Sequence, residues 1–355
     1  MDFKQIFQKT IQILLPLALG IILLWYLYRN QDLSEMMNVA KKGVRYDILI
    51  FSLIFGLLGN MFRGFRWALL IDSLGKRVRR KNTVYSVLGS YAINMALPRV
   101  GEIWRCGVIS KYEKQPFTKL LGTLFVDRIM DTVVVALLTL CLCIFNIKFF
   151  TDFFAENPPT FIAAMFAAIS SVWTYIGIIV LILLIWFVFV KLKHLTIVQK
   201  MKDMMKNIWE GINSLWKIER KATFFIQTIL IWVCYFLYFY ITFFAFDFTK
   251  DLGVRIALIA FAMSSIGVAA PVQGGIGVWH FMVMSTLVAF GVNSNDAGVF
   301  AFLVFAVQTL WVVIVGLFGI TALPIINKEK TESSEIISVE AQNVIDQCEE
   351  TGENR

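Results

Sequence analysis

Residues 94–105 read Asn-Met-Ala-Leu-Pro-Arg-Val-Gly-Glu-Ile-Trp-Arg, and they follow an apolar segment that begins near residue 82. Pro98 removes a backbone donor, Gly101 follows three residues later, and Glu102 and Arg105 then place opposite charges within one helical turn. Broken backbone and charge at membrane depth are tolerated only where protein or a water-filled cavity satisfies them. The stretch therefore predicts a broken helix inside a membrane protein, with charged side chains that are candidates for function.

The same pattern occurs once more, in residues 267–277, which read Gly-Val-Ala-Ala-Pro-Val-Gln-Gly-Gly-Ile-Gly. Pro98-x-x-Gly-Glu-Ile aligns there with Pro271-x-x-Gly-Gly-Ile. Helix interruptions at corresponding points of two halves indicate a transporter-type binding site. The alternative is two unrelated loops, because proline and glycine punctuate loops of every kind.

The composition excludes several classes of protein. With 58% hydrophobic residues over 355 positions, the chain is typical of a polytopic membrane protein rather than a soluble one. An odd number of cysteines, five, lie scattered without zinc-like spacing, and there are only two histidines, so we predict no metal and no cofactor. The net charge of +8 is concentrated beside apolar segments, which favours anionic lipid headgroups over nucleic acid as partners.

The apolar segments predict an all-α polytopic membrane protein with about six full spans and two re-entrant broken hairpins. Lys and Arg concentrate in alternate connections, which places the N-terminus and the C-terminus in the cytoplasm and the protein in the cell membrane. Each half then contains two spans, a broken hairpin and a span, in opposite orientations, which makes an inverted repeat. The alternative is eight spans, with both hairpins crossing fully. The predicted spans are 11–28, 48–61, 119–146, 161–190, 222–246 and 298–323, and the hairpin arms are 82–98 with the chain after it and 256–271 with 276–290.

This topology divides the chain into a first membrane half, 1–146, and a second, 147–323. Within the second half, residues 191–221 alternate apolar residues and lysines at helical spacing, which predicts an amphipathic linker on the inner leaflet. A connector packed on cytoplasmic loops is the alternative. The tail, 324–355, is rich in carboxylates and poor in aromatic residues, so we expect a disordered cytoplasmic extension.

The candidate site is a set of charged residues near the cytoplasmic end of the first half, facing the glycines of the second break. Arginine suits a phosphate ligand because its planar fork holds two oxygens and keeps its charge. Asp127 and Asp131 share a helical face, and Arg128 reaches Asp131 at i+3. Alternatively, Arg128 snorkels at the interface and part of the set serves only topology. The predicted substrate-binding residues are Arg63, Arg66, Asn94, Arg99, Glu102, Arg105, Asp127, Arg128, Asp131, Gln273, Gly274 and Gly275.

Four ordered motifs carry a family resemblance over roughly residues 10–323. They are Arg63-Gly-Phe-Arg-Trp67, the stretch 94–105, Asp127-Arg-Ile-Met-Asp131 and the stretch 271–277. Together they resemble the flippase-like transmembrane domain of lysylphosphatidylglycerol synthases and their stand-alone relatives. The resemblance implies translocation of modified phospholipids between leaflets. Asp127 stands where relatives often have glutamate, and Val272-Gln273 replaces a more usual Pro-containing turn, so the substrate is left open.

The function we expect is therefore a lipid flippase that moves a phospholipid or lipid-linked precursor with an anionic or phosphate headgroup. No phosphate-binding loop of the Gly-x-x-x-x-Gly-Lys-Ser/Thr type occurs, which disfavours ATP hydrolysis, and we predict no catalytic residue. One alternative is a membrane-embedded transferase or hydrolase with Glu102 or Asp127 as general base. Another is a non-transporting subunit of a separate lipid-modifying enzyme. The resemblance does not imply lipid lysylation, since the family's aminoacyl-transferase domain is not found in these 355 residues, and the oligomeric state is left open.

Overall fold

The structure, a computed structural model, describes residues 24–25, 28–29, 33–97, 99–147, 149, 151, 196–269 and 273–328. Most of the predicted span 11–28, the predicted span 161–190, Pro98, Pro271 and the tail after residue 328 lie outside the described residues.

The described part of the chain is helical, as predicted, and its only pairing of extended backbone is an isolated bridge between Val44 and Phe246. Three short 3-10 turns, at Asn213–Leu215, Ile241–Ala245 and Gln273–Gly275, lie between or after the helices. The α-helices are α1 (Leu33–Lys42), α2 (Tyr46–Asp72), α3 (Arg80–Ala96), α4 (Val100–Glu113), α5 (Phe117–Phe145), α6 (Thr196–Ile212), α7 (Lys221–Tyr240), α8 (Gly253–Ala269), α9 (Val278–Ala289) and α10 (Ser294–Ile326).

Four of the described helices are long and apolar enough to cross a membrane, and they coincide with four of the six predicted spans. These are α2, α5, α7 with its 3-10 extension to Ala245, and α10. The second span differs from its prediction, because α2 continues as one helix to Asp72. The sequence placed Arg63 and Arg66 among the charged residues near the cytoplasmic end of the first half. In the structure they lie inside α2 and are buried.

The two halves repeat one order of elements: a long helix, two short helices and a long helix. The first set is α2 to α5, and the second is α7 to α10. Within each set the second short helix is the shorter, with 14 residues in α4 and 12 in α9. A bilayer crossing needs about 20 helical residues. Neither α4 nor α9 is therefore long enough to cross by itself.

Contacts between remote residues define two ends of the bundle. At one end, the Arg45 amide donates to the Ala245 carbonyl (2.9 Å), and Arg255 Nε donates to Asn146 Oδ1 (2.6 Å). Phe149 and Phe290 stack there, with ring centroids 4.8 Å apart. The starts of α2 and α8 and the ends of α5, α7 and α9 thus share this end. Its charges are of both signs, and we call it the mixed end.

The opposite end, which we call the basic end, comprises residues 73–82, 111–119 and 213–221. Asn82 Nδ2 donates to Glu113 Oε1 (2.5 Å) and to Asn327 Oδ1 (3.0 Å), which joins the start of α3 to the ends of α4 and α10. Ser73 Oγ donates to the Ser214 carbonyl (2.9 Å), which joins the end of α2 to the turn after α6. Helices α3 and α4 therefore start and finish at the basic end.

The closed ends of the two pairs of short helices meet inside the bundle. A Cβ atom at Gly274 would lie 3.0 Å from Met95 Cε, so the turn before α9 contacts the last turn of α3. The local backbones differ, however. Helix α4 resumes at Val100, directly after Arg99 in the left-handed region (φ 62), whereas Gly274, Gly275 and Gly277 all have positive φ before α9 begins. The aligned glycines are thus not equivalent in conformation.

Glycines also bring helix backbones together. Gly316 and Gly319 of α10 approach the backbone of α3, and Gly122 of α5 faces Gly211 of α6. Small residues permit such close packing in membranes, where little hydrophobic force acts between helices. Helix α6 packs on α5 with one face, yet Trp209 is 62% exposed. The described part of the predicted linker, from residue 196, thus packs on a long helix and leaves an aromatic side chain exposed, and its place on the inner leaflet stays a prediction.

Candidate functional site

Seven of the predicted site residues converge between three helices. Helix α2 contributes Arg63 and Arg66, which are three residues apart and so share a face. Helix α4 contributes two residues and α5 three. We call this set the arginine network, and its members are Arg63, Arg66, Glu102, Arg105, Asp127, Arg128 and Asp131.

Asp127 is the centre of the network. Its Oδ1 accepts from Arg66 Nη2 (2.5 Å) and Nε (3.0 Å), and its Oδ2 accepts from Arg105 Nη2 (3.2 Å). The side chains of all three residues have no exposed surface. One carboxylate therefore links α2, α4 and α5 in the interior of the bundle.

Asp131, one turn further along α5, holds the second pair of contacts. Its Oδ2 accepts from Arg63 Nη1 (2.5 Å), and its Oδ1 accepts from Arg66 Nη2 (2.7 Å). Tyr235 of α7 adds a contact from the second half, since its hydroxyl accepts from Arg63 Nε (3.2 Å) and donates to Asn60 Oδ1 (2.7 Å). The network thus also touches the helix that starts the second repeat.

Arg128 and Glu102 form the accessible rim of the network. Arg128 Nε lies 2.9 Å from Glu102 Oε1, and the two side chains are 33% and 25% exposed. The i+3 pairing with Asp131 that the sequence suggested is the weaker contact, at 3.8 Å. The rim pair connects α4 to α5 on the solvent-accessible side of the network.

Arg105 has hydrogen-bonding capacity that the described residues do not use. Its Nε and Nη1 are buried and have no hydrogen-bond partner there, while Nη2 is bound to Asp127. The guanidinium lies over the Trp67 ring, 4.5 Å from its centroid, which is within the range of a cation–π contact. Buried donors are nearly always satisfied. The two unpaired guanidinium nitrogens of Arg105, Nε and Nη1, therefore make it a candidate for contact with an anionic ligand.

The charges of the network do not cancel. Four arginines meet three carboxylates, which leaves one positive charge on these side chains. Desolvating an ion pair costs free energy that the attraction between the charges only partly offsets, so buried pairs are poor evidence for stability. Charges inside a membrane bundle are candidates for function. The arrangement is therefore suited to binding an anion.

Asn94 and Arg99, both predicted to bind substrate, are placed differently. The Asn94 side-chain oxygen accepts from the Gly101 amide (2.8 Å), which caps the start of α4 and holds the hairpin closed. Arg99 is exposed at the tip, with no ion pair among the described residues. The structure does not join either residue to the arginine network, and substrate contact by them stays a prediction.

The second break contributes closely packed glycine backbone rather than charged side chains. Gly274 faces Met95, and Gly275 lies against the backbone of Val268, with a Cβ atom there only 3.2 Å from the Val268 Cα. The side chain of Gln273 lies outside the described part of the structure. No contact between these three residues and the arginine network is seen among the described contacts, so their part in binding stays a prediction.

Several residues around the network were not predicted from the sequence. Trp67 covers Arg105, Tyr235 holds Arg63, and Arg66 Nη1 donates to Thr228 Oγ1 (3.4 Å). Tyr235 and Thr228 lie on α7, which the sequence showed only as an aromatic-rich span. Polar atoms spaced seven residues apart within an apolar span were the available signal, because residues i and i+7 share a helical face.

The carboxylates of the network are committed to arginines, and no group of three His, Cys, Asp or Glu side chains in the described ranges could hold a metal ion. The arginines supply hydrogen-bond donors and positive charge, which are the groups that an anion requires, and substrate binding by this set stays a prediction.

Comparisons with known proteins give one match. The sequence model of one protein family, described as the lysylphosphatidylglycerol synthase TM region, matches residues 13–316. Searches of curated proteins and of solved structures found no match.

Proposed function

Because the chain belongs to the family of the lysylphosphatidylglycerol synthase TM region, we propose that this multi-pass helical membrane protein moves a phospholipid or lipid-linked precursor between leaflets. The observation that carries the proposal is Arg105, a guanidinium with no exposed surface that keeps two unused donors at the centre of a network with excess positive charge. A phosphate oxygen is the ligand that matches these donors in charge and geometry.

Entry of the phosphate begins at the rim. The carboxylate of Glu102 occupies the anion position at Arg128 in this structure, and both side chains have exposed surface. A lipid phosphate displaces this carboxylate, because it offers more oxygens to the same guanidinium. Release of Glu102 from Arg128 opens the accessible side of the network, while the Arg105–Asp127 ion pair still holds α4 to α5 and keeps Arg105 beside the entering ligand.

An apolar groove beside α4 fits the rest of the lipid. A cavity of about 500 Å³ lies between α4 and the last turns of α10, lined by Ile103, Val108 and Leu323 among others. Lys111 lies at its basic end and completes the match to an anionic amphiphile. The acyl chain runs along α4 in this groove while the headgroup enters the protein.

The two pairs of short helices alternate access to the site. They are re-entrant hairpins of an inverted repeat, since α3 and α4 share the basic end, while the start of α8 and the end of α9 share the mixed end. The contact between Met95 and Gly274 supports this arrangement over eight spans. Hairpins that crossed fully would put their tips on opposite membrane surfaces, about 30 Å apart. The basic end faces the cytoplasm under the positive-inside rule.

The structure gives less support to catalysis by a carboxylate. Both oxygens of Asp127 accept hydrogen bonds from arginines, and Glu102 is paired with Arg128. A general base needs a free lone pair directed at the proton that it removes. Asp127 offers none, because it is fully buried with both oxygens occupied; Glu102 is paired through Oε1 only and is 25% exposed, so this alternative would depend on Glu102.

The proposal is tested by reconstitution. Purified protein in phosphatidylcholine vesicles receives a trace of fluorescent phosphatidylglycerol or phosphatidylcholine, and a membrane-impermeant quencher reports the fraction in the outer leaflet. We expect the wild-type protein to exchange the anionic lipid between leaflets. Arg128→Gln should slow that exchange by about tenfold or more, which corresponds to loss of one charge-assisted hydrogen bond of about 1.5–3 kcal/mol.

The matched control is Arg45→Gln, which also removes an arginine from an ion pair, but one at the mixed end with its side chain 69% exposed. It should exchange lipid at the wild-type rate. Exchange no faster than in protein-free vesicles, for every anionic and aminoacylated lipid tried, would refute the proposed function.

A further inference from the structure

A cavity lined mainly by basic side chains lies at the basic end, outside the arginine network. It has a volume of about 310 Å³ and is formed by the end of α2 and the turn after it on one side, and by the connection before α7 on the other. The charged side chains that line it are Asp72, Arg77, Arg80, Lys217, Glu219 and Arg220.

The cations of this cavity outnumber its carboxylates by four to two. Asp72 is already committed, because its Oδ2 accepts from Arg80 Nη2 (2.6 Å) and its Oδ1 from the Val78 amide (2.9 Å). Arg77 and Lys217 form no ion pair with any described residue. The cavity therefore holds positive charge that its own carboxylates do not neutralise.

Arg80 lines the cavity and carries an unsatisfied donor. Its Nη1 is buried and has no hydrogen-bond partner among the described residues, although Nη2 is held by Asp72. The Asp72 contact fixes the guanidinium in place, so the free N–H groups are oriented in advance. The Arg80 side chain therefore loses little conformational entropy when a ligand accepts a hydrogen bond from Nη1.

The cavity is separate from the arginine network. Leu69 and Ile218 line it and are 8% and 4% exposed, so it has an apolar floor. Asp72 follows Arg66 by six residues, which is about 9 Å along a helix. Trp67, Leu70 and Ile71 are buried between the two sites and have no exposed surface.

We propose that this cavity binds a phosphate-bearing ligand with at least two negative charges. Arginine forks bind phosphate oxygens in pairs, and the volume is at the lower end of the range for small-molecule sites, about 300–1,000 Å³. A bound anion links the turn after α2 to the connection that starts the second repeat, so it holds the two halves together at the basic end. The ligand is a soluble polyphosphate or the phosphate headgroup of an anionic lipid.

The test uses the full-length protein in a neutral detergent. Calorimetric titration and thermal unfolding are measured with sodium pyrophosphate, inorganic phosphate and sodium chloride at matched ionic strength, and with short-chain phosphatidylglycerol and phosphatidylcholine. We expect pyrophosphate or phosphatidylglycerol to bind and to raise the unfolding midpoint. The double variant Arg77→Gln/Lys217→Gln should weaken binding by about tenfold, since it removes two partly exposed charge-assisted contacts.

The matched control is Lys81→Gln/Lys114→Gln, which removes two exposed charges from the same end but outside the cavity lining. It should bind within about twofold of wild type, because neither lysine lines the cavity and salt screens exposed charges that do not contact the ligand. Binding of pyrophosphate alone identifies a soluble ligand, and binding of phosphatidylglycerol alone identifies a headgroup.

Three results would overturn the inference: no effect of either phosphate source, an equal effect of chloride, or equal loss of binding in both double variants. The proposed transport function does not enter this test. Only the binding that Arg77→Gln/Lys217→Gln removes is assigned to the cavity, and Arg128→Gln should retain that part, so each proposal can fail without the other.

Discussion

Asp127 is the residue whose loss should cost the fold most. Within the described ranges it is the only carboxylate that contacts Arg105, and it also holds Arg66, with all three side chains fully buried. Removing one partner of a buried pair leaves an uncompensated charge, which costs about 3–5 kcal/mol. We expect Asp127→Asn, which keeps the shape of the side chain, to lower the thermal unfolding midpoint of the detergent-solubilised protein strongly.

The control for this change is Asp203→Asn on α6, where the carboxylate is exposed and forms no ion pair with the described residues. That variant should unfold at the wild-type temperature. Equal midpoints for Asp127→Asn and wild type would show that the network does not depend on this carboxylate.

At this scale the sequence predicted which charges matter but not how they pair. The motif from Asp127 to Asp131 and the arginines of α2 were recognisable as charges in apolar segments. The partners were not, since Arg128 is closer to Glu102 on another helix (2.9 Å) than to Asp131 on its own (3.8 Å). Pairing across helices depends on how far α4 and α5 approach, and local spacing carries no information about that distance.

Gly101 determines whether the pair α3 and α4 can close. A Cβ atom at this position would overlap the carbonyl oxygen of Ser90, which is backbone and cannot rotate away. We expect Gly101→Ala to separate the two helices and to destabilise the protein by about 1–3 kcal/mol, the usual cost of overpacking. Lipid exchange in the vesicle assay should fall with it.

Gly107 provides the control within the same helix. A Cβ atom there would meet nothing within 4 Å. Gly107→Ala should therefore be neutral, or stabilising by up to about 1 kcal/mol, because alanine has the higher helix propensity. Unfolding midpoints that fall equally for both variants would contradict the close contact between α3 and α4.

The helices themselves were largely predictable, because long apolar runs bounded by charge have few other solutions. The second span was placed too short: its apolar part was predicted to end near Met61 and to continue into Arg63-Gly-Phe-Arg-Trp67, whereas α2 runs to Asp72. Each arginine lowers the mean hydropathy of a segment, so a hydropathy-based prediction ends the span there. It cannot register that carboxylates on α5 neutralise these arginines inside the helix.

The orientation of the whole molecule can be tested by labelling from one side. In a protein whose five native cysteines are replaced by alanine, a single cysteine is placed at Lys76 or at Asp247 and treated with an impermeant maleimide in intact cells. We expect Asp247→Cys to react at once and Lys76→Cys only after permeabilisation. The mixed end then faces outward, as the excess of basic residues at the other end predicts.

The same assay distinguishes re-entrant hairpins from full spans. Arg99→Cys lies at the tip of the first hairpin, so reaction at the rate of Asp247→Cys in intact cells would mean that α3 and α4 cross completely. Slow or absent reaction from outside is the result that the Met95–Gly274 contact leads us to expect.

For the molecule as a whole, the sequence predicted two halves with one order of elements and a contact between their breaks, but not the contacts that close the basic end. The Pro-x-x-Gly patterns suggested that the breaks face each other, and Met95 does lie against Gly274. The closing of the basic end by Asn82, Glu113 and Asn327 could not be foreseen. Those residues are far apart in the chain and belong to no motif.

The buried ion pairs between α2 and α5 have a consequence for biosynthesis. An arginine at the centre of an unpartnered helix costs about 2.5–3.5 kcal/mol to insert into lipid, and α2 carries two, which α5 neutralises only after it has been synthesised. Fifty residues lie between Arg66 and Phe117, the first residue of α5. The energetics therefore favour a delay, in which the newly made α2 waits beside the insertion machinery until its acidic counterpart leaves the ribosome, and the two helices enter the bilayer together.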